Sequence, residues 1–221
     1  MNVFYLDLNP TVSASWLVDK HVLKMVLEYT QLLANAFHMP GAPAPPKTRA
    51  GTTYAKSHWD HPCAVWVRQD FKHWHWVKMG AFELCRQYQT RFPGALIKQH
   101  ACYDALAYMD GINKLTWMPR KNWVDPPQCM PVEFQIRNDT VGAYRAYYKT
   151  GKKHLHQWTG VNPPEWIVPR KKTIRELAAD LIDQAELIIP HPDRFRPADL
   201  TNEEWGKVTR VALDVINGRM E

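Results

Sequence analysis

Apolar positions recur at helical spacing through most of the chain. From Thr11, which can cap a helix, to about His38, no Pro or Gly intervenes. Val18, Val22, Val26, Tyr29 and Leu33 then share one face, which predicts a single long helix. His61-Pro62 opens a second long helix, with Pro at its first position, running to about Arg91 before Pro93-Gly94 stops it. A shorter helix is predicted over 97–110. Another is capped by Asn138 or Asp139, carries Tyr144-Arg145-Ala146-Tyr147-Tyr148 and ends near Gly151. Two amphipathic helices follow. One covers 173–189, with the apolar stripe Ile174, Leu177, Leu181, Ile182, Leu187 and Ile188. The other starts at a Thr201/Glu204 capping box and closes at Gly218.

Asn2-Val3-Phe4-Tyr5-Leu6-Asp7 has the composition of a short strand. Residues 39–57 form a loop rich in Pro, Gly, Thr and Lys, and residues 115–136 are irregular, with four prolines. The pattern predicts a mainly α protein: a compact helical domain with a short N-terminal strand, and a helical C-terminal extension.

Composition sharpens the division. The chain has 221 residues, a net charge of +6 and ten Trp. Residues 1–168 carry a net +7 and nine of the Trp, whereas 169–221 carry −1. The expected domains are therefore a basic working domain over 1–168 and an appendage over 169–221 whose apolar stripe packs on the main domain or on a second copy, giving a homodimer. High aromatic content with modest charge excludes disorder for most of the chain. No run of about 18 apolar residues exists to span a membrane. The start lacks the pattern of a signal peptide, and the four Cys read as reduced thiols, so a cytoplasmic protein is expected. Basic charge interleaved with aromatics favours a nucleic-acid partner, here DNA.

Three segments carry candidate chemistry. On the first long helix, His21, Lys24, Glu28 and Gln31 fall on one face. An amine desolvated beside other cations can attack a carbon centre, and a carboxylate one turn away can move protons. The plainer reading is a solvated face with a Lys–Glu pair four residues apart. At the second helix start, His61 sits where unpaired amides favour an anion, with Arg68 two turns inside. His58, His61 and Cys63 have zinc-like spacing. Zinc sites usually show a second close ligand pair, for which His154-Leu155-His156 is the only candidate, so neither metal nor cofactor is expected. Third, Arg145, Lys149, Lys152 and Lys153, with Tyr148 and Trp158, make a basic-aromatic patch. Cations suit phosphates and aromatic rings suit an unpaired base, although an ordinary basic surface over packed Tyr has the same composition. Lys20, Lys47 and Arg49 add further cations, and Trp59 a further ring. No Gly-rich phosphate loop is present: Gly41 and Gly51 do not form one.

The combination Asp19-Lys20-His21-Val22-Leu23-Lys24-Met25, His61-Pro62-Cys63-Ala64-Val65-Trp66, Met130-Pro131, Tyr144-Arg145-Ala146-Tyr147-Tyr148 and Pro164-Glu165-Trp166 resembles a largely uncharacterised family of small bacteriophage proteins. The resemblance covers about residues 1–168. More distantly, the order of a polar early helix, a His opening a long helix, and Cys85 and Arg91 near its end is similar to the pyrimidine-dimer DNA glycosylases of the endonuclease V type. That resemblance implies a helical fold that grips the DNA backbone, flips out an abnormal pyrimidine and excises it hydrolytically. Those glycosylases use the amine of a Thr exposed by removal of Met. This chain begins Met1-Asn2, and Asn is poor for Met removal, so Lys24 becomes the replacement nucleophile, with His21, Glu28 and His61 as its catalytic partners.

Two other functions remain open. One is a phage base-modifying transferase of the amino acid:DNA type acting on hypermodified thymine, in which His21, Lys24, Arg68 and Arg145 bind a pyrophosphorylated base. The other is a non-catalytic DNA-binding protein in the host cytoplasm.

Overall fold

The structure is a computed structural model that describes residues 2–92, 94, 99–112, 115–168, 173–174, 176–179 and 200–216. It is mainly α, and no named strand occurs among the described residues. Two compact units divide the chain, Met1–Ile167 and Val168–Glu221.

In the first unit the order is α1 (Pro10–Ser15), α2 (Asp19–Asn35), α3 (Pro62–Gln69), α4 (Phe71–Arg91), α5 (Tyr103–Asp110) and α6 (Thr140–Ala146), the last running into a π turn at Tyr147–Gly151. α2 is the central helix, packed on α4, α3 and α5. The predicted stripe Val18, Val22, Val26, Tyr29 and Leu33 is wholly buried. Gly80 lets α4 approach closely: a Cβ there would sit 3.1 Å from a Tyr29 ring carbon.

Four predicted elements differ from the structure. The helix expected from Thr11 to His38 is broken at Trp16-Leu17-Val18, and Asn9 rather than Thr11 caps its first piece, accepting from the Thr11 amide at 2.9 Å. Arg91 explains why the break is tolerated. This fully buried guanidinium donates to the Ser15 carbonyl (2.5 Å), the Leu17 carbonyl (2.6 Å), Asp19 (3.3 Å) and Gln87 (2.8 Å). The Val18 amide donates to Tyr148 Oη at 2.9 Å, and the Asp19 amide to the Gln157 carbonyl at 2.9 Å. The Ser15 and Leu17 carbonyls and the Val18 and Asp19 amides, freed by the break, thus find partners contributed by distant elements.

The second long helix is likewise two helices. Asp70 adopts an extended conformation and caps α4 through the Lys72 amide. α5 begins at Tyr103 rather than at 97, and residues 97 and 98 lie outside the described residues. The expected strand at 2–7 does not form. Val3, Phe4, Tyr5 and Leu6 are all buried, on both faces of an extended segment. Its polar backbone pairs with side chains instead: Ser13 Oγ donates to the Phe4 carbonyl and accepts the Leu6 amide, and Arg145 donates to the Leu6 carbonyl. Asp139 caps α6 as expected, through the Gly142 amide at 2.7 Å.

In the second unit, α7 (Asn202–Ile216) begins at the Thr201/Glu204 capping box, with Thr201 N–H on Glu204 at 2.9 Å and Glu204 N–H on Thr201 at 3.2 Å. Trp205, Val208 and Ala212 bury together with Ala178. Leu181, Ile182, Leu187, Ile188 and Gly218 lie outside the described residues. No helix among the described residues is long and apolar enough to cross a membrane.

Candidate functional site

A connected polar cluster lies where the N-terminal segment, α2, the start of α3 and the irregular segment before α6 meet. Pro62 at its first turn and His61 as its cap start α3. The His61 Nδ1 accepts the Cys63 amide at 3.1 Å. This places His61 and Cys63 side by side at the helix N-terminus.

Cys129 arrives from a strap over 119–129 that is pinned at each step. The Phe71 amide donates to the Pro119 carbonyl, the Lys121 amide donates to Asp70, and Trp66 Nε1 donates to the Val124 carbonyl. The Val124 amide donates to His73 Nε2, and Tyr5 and Trp123 both donate to Asp125. The strap ends with Cys129 Sγ 3.6 Å from Cys63 Sγ, and both thiols are free. One donor atom each from His61, Cys63 and Cys129 lies within 4.8 Å of the others.

Asn2 ties this trio to Glu28. Its side-chain amide donates to the Cys129 carbonyl at 3.0 Å, and its Oδ1 lies 3.9 Å from Cys63 Sγ and accepts from Tyr144 at 2.8 Å. The Asn2 backbone N–H donates to Glu28 Oε2 at 3.2 Å. Glu28 is buried on α2, and its other oxygen pairs with Lys24 Nζ at 3.0 Å. Lys24 keeps 70% of its side chain exposed, so the ammonium sits at the rim and the carboxylate beneath it.

The electrostatics follow from these contacts. The Cys63 thiol donates to the Cys129 sulfur, which lowers Cys129 to about 7 and raises Cys63 above its ordinary range. Burial lowers the His61 imidazole. The arrangement offers a carboxylate for moving a proton, an imidazole, and two soft sulfur donors.

The sequence-predicted residues divide into several places. Glu28 and His61 belong to the cluster, and Lys24 touches it through Glu28. His21 does not face it as a free base. It is stacked on Phe4 with centroids 4.4 Å apart, and Nδ1 is 2.8 Å from Tyr148 Oη. Burial, with Lys152 and Lys24 nearby, lowers it to about 4.

Among the expected phosphate ligands, Lys20, Lys47, Lys149 and Lys153 are exposed. Arg49 is engaged by Asp104 and by the carbonyls of Gln99 and His100. Arg68 holds the Trp59 carbonyl, and Lys152 lies over the Tyr147 ring. Arg145 pairs with Asp7 and lies over the rings of Trp16 and Trp166.

Tyr148 is a correction. It is fully buried, with its hydroxyl used by Val18 and His21, so no base can stack on it. A ring in the middle of a basic segment reads as accessible in sequence, but the π turn rotates it into the core. Trp158 is half-buried and donates to the Trp16 carbonyl. Trp59 is half-buried with the Arg68 guanidinium 3.6 Å and the Lys56 ammonium 4.7 Å from its ring centre. His58 stays outside the His61–Cys63–Cys129 group and takes a left-handed backbone, φ 47°. His156 is occupied by the Tyr148 carbonyl.

Sequence reasoning missed Cys129, Asn2 and Tyr144 as members of this site. Cys129 lies 66 positions from Cys63, in a segment without periodicity. The one available signal was a Cys flanked by Pro127 and Pro131 in an otherwise irregular run. Comparison with protein-family models, with curated proteins and with solved structures finds no match.

Proposed function

We propose that residues 1–167 form a phage-type DNA-acting enzyme that excises or processes a damaged or modified pyrimidine base, with its chemistry at Glu28, His61, Cys63 and Cys129. One observation carries the reading. A buried carboxylate, an imidazole and two thiols from three distant segments meet around Asn2, in a unit whose sequence bears a strong positive excess. Packing alone does not call for such a set, because burying polar groups costs free energy unless each is partnered. Glu28 serves as proton carrier. Lys24 pairs with it at 3.0 Å and reaches outward to a phosphate, beside exposed Lys20. The base leaves the duplex stack to reach the cluster. The second unit contributes a helical face for a homodimer.

The test uses the full chain with duplex DNA carrying damaged or pyrophosphorylated thymine, with and without amino acids. Nucleosides are then profiled by mass. The expected result is a changed profile that Glu28→Gln slows roughly 10²–10⁴-fold, the usual contribution of a proton carrier. DNA binding should persist in that variant. It should fall roughly 100-fold between 50 and 200 mM salt if about four phosphates are contacted. A product containing the amino acid assigns the transferase chemistry, and a free base assigns excision. Binding with no change on any substrate would leave only the non-catalytic DNA-binding reading. Absence of salt-dependent binding would refute the DNA reading itself.

A further inference from the structure

The cluster also bears on a question separate from DNA: what two reduced thiols and an imidazole are doing in contact. The Cys63 and Cys129 sulfurs are 3.6 Å apart. A disulfide is about 2.05 Å long, so this is not a bonded pair. A tetrahedral zinc ion with Zn–S bonds of about 2.3 Å separates two sulfur ligands by about 3.8 Å. The observed spacing is within a few tenths of an ångström of that edge. The imidazole completes a group spanning at most 4.8 Å, where zinc would place nitrogen and sulfur about 3.6 Å apart. A turn of the half-buried His61 ring supplies the remaining approach, exchanging its contact with the Cys63 amide for the ion.

The geometry points to a zinc site formed by His61, Cys63 and Cys129, with the fourth ligand supplied from outside these three residues, by water or a substrate atom. Three features favour it. Two sulfurs and one imidazole nitrogen are borderline-soft donors that suit zinc and not magnesium or calcium. The supporting contacts are in place: Asn2 donates to the Cys129 carbonyl and Tyr144 accepts the Cys129 amide at 3.3 Å. Helix α3 begins at His61-Pro62, so its first amides face the sulfur charge.

As the Zn–S bonds form, each thiol gives its proton to solvent, and the two thiolates balance the ion's charge. Three protein donors, with water or substrate as the fourth ligand, are the coordination of catalytic rather than structural zinc. Glu28, held by the Asn2 amide beside the group, is placed to accept a proton without ligating. That last role rests on the proposed base-processing function. The metal site itself does not, because it is read from stoichiometry and absorption.

The experiment uses the full chain purified under reductant without chelator. Zinc is measured per chain, then exchanged for cobalt. The expected result is one zinc per chain and, with cobalt, intense d–d bands of a four-coordinate site plus thiolate-to-cobalt charge transfer. Cys129→Ser should weaken zinc binding by more than the roughly 10–100-fold that loss of a supporting hydrogen bond costs. Cys85→Ser, a buried thiol outside the group, should leave it unchanged. The cobalt spectrum of the unaltered chain needs no variant to fold. A folded chain that takes up no stoichiometric zinc, a Cys129→Ser chain that binds as tightly as the parent, or a Cys63–Cys129 disulfide formed with zinc present overturns the proposal.

Discussion

Arg91 should be the costliest single side chain to lose from the first unit. It is buried to 1% exposure and makes the four contacts that close the α1–α2 break. Arg91→Met keeps the volume and apolar stem but strands Asp19 and the carbonyls of Ser15 and Leu17. Removing one partner of a buried ion pair costs about 3–5 kcal/mol, much of it the penalty on the group left behind. Asp19 retains Thr159, whose amide and hydroxyl both donate to it, so the lower half of that range applies to the carboxylate. Each orphaned carbonyl adds about 1 kcal/mol or more. The expected loss is about 5–6 kcal/mol. With a urea slope of roughly 2 kcal/mol/M, the midpoint falls by about 2.5–3 M.

The first unit's many tryptophans report its unfolding by fluorescence. Arg49→Ala is the control: that guanidinium is half-exposed and its ion pair with Asp104 is 3.5 Å long, so less than about 1 kcal/mol should be lost. Arg91→Lys should fall between the two, because one ammonium cannot reach both carbonyls in the guanidinium's geometry. If Arg91→Met shifts the midpoint no more than Arg49→Ala does, the helix break is not held by this residue and the reasoning fails.

Two further outcomes follow from the same region. His21 is lowered to about 4 from an ordinary 6.5, mainly by burial. The folded state therefore binds fewer protons than the unfolded chain. Stability is full above pH 6.5 and is lost as pH falls toward 4, by up to about 3 kcal/mol. Urea midpoints across that window should flatten in His21→Gln, and an unchanged slope would sink the assignment. Tyr148→Phe removes the acceptor of the Val18 amide and the partner of His21, costing about 1–3 kcal/mol by calorimetry. Its DNA affinity should match the parent, and a specific loss of DNA binding at full stability would contradict its burial.

Local pattern and tertiary context share out the molecule along physical lines. The buried stripe on α2, the Pro62 start of α3, the Asp139 cap and the Thr201/Glu204 box were all legible, because each depends on residues within one or two helical turns. The breaks at Trp16–Val18 and Asp70 were not. Helical spacing continues across both, and the deciding partners, Arg91, Tyr148 and the Lys121 amide, are 51 to 130 positions away. The buried Val3–Leu6 segment misled for the same reason: apolar and β-prone residues read as a strand, but the chain offers side chains rather than a neighbouring strand for pairing.

The sequence by itself determined a mainly α protein, its central helix face, a basic first unit and two members of the cluster, Glu28 and His61. Periodicity, capping and charge are properties of neighbours in the chain, so they survive without coordinates. Only the tertiary structure decided that His21 is a packed neutral ring and that Tyr148 is core. It alone brought Cys129, carried on an aperiodic strap, to Cys63. A site built from separated segments has no local period to announce it. Its existence depends on which backbone groups each distant side chain happens to satisfy.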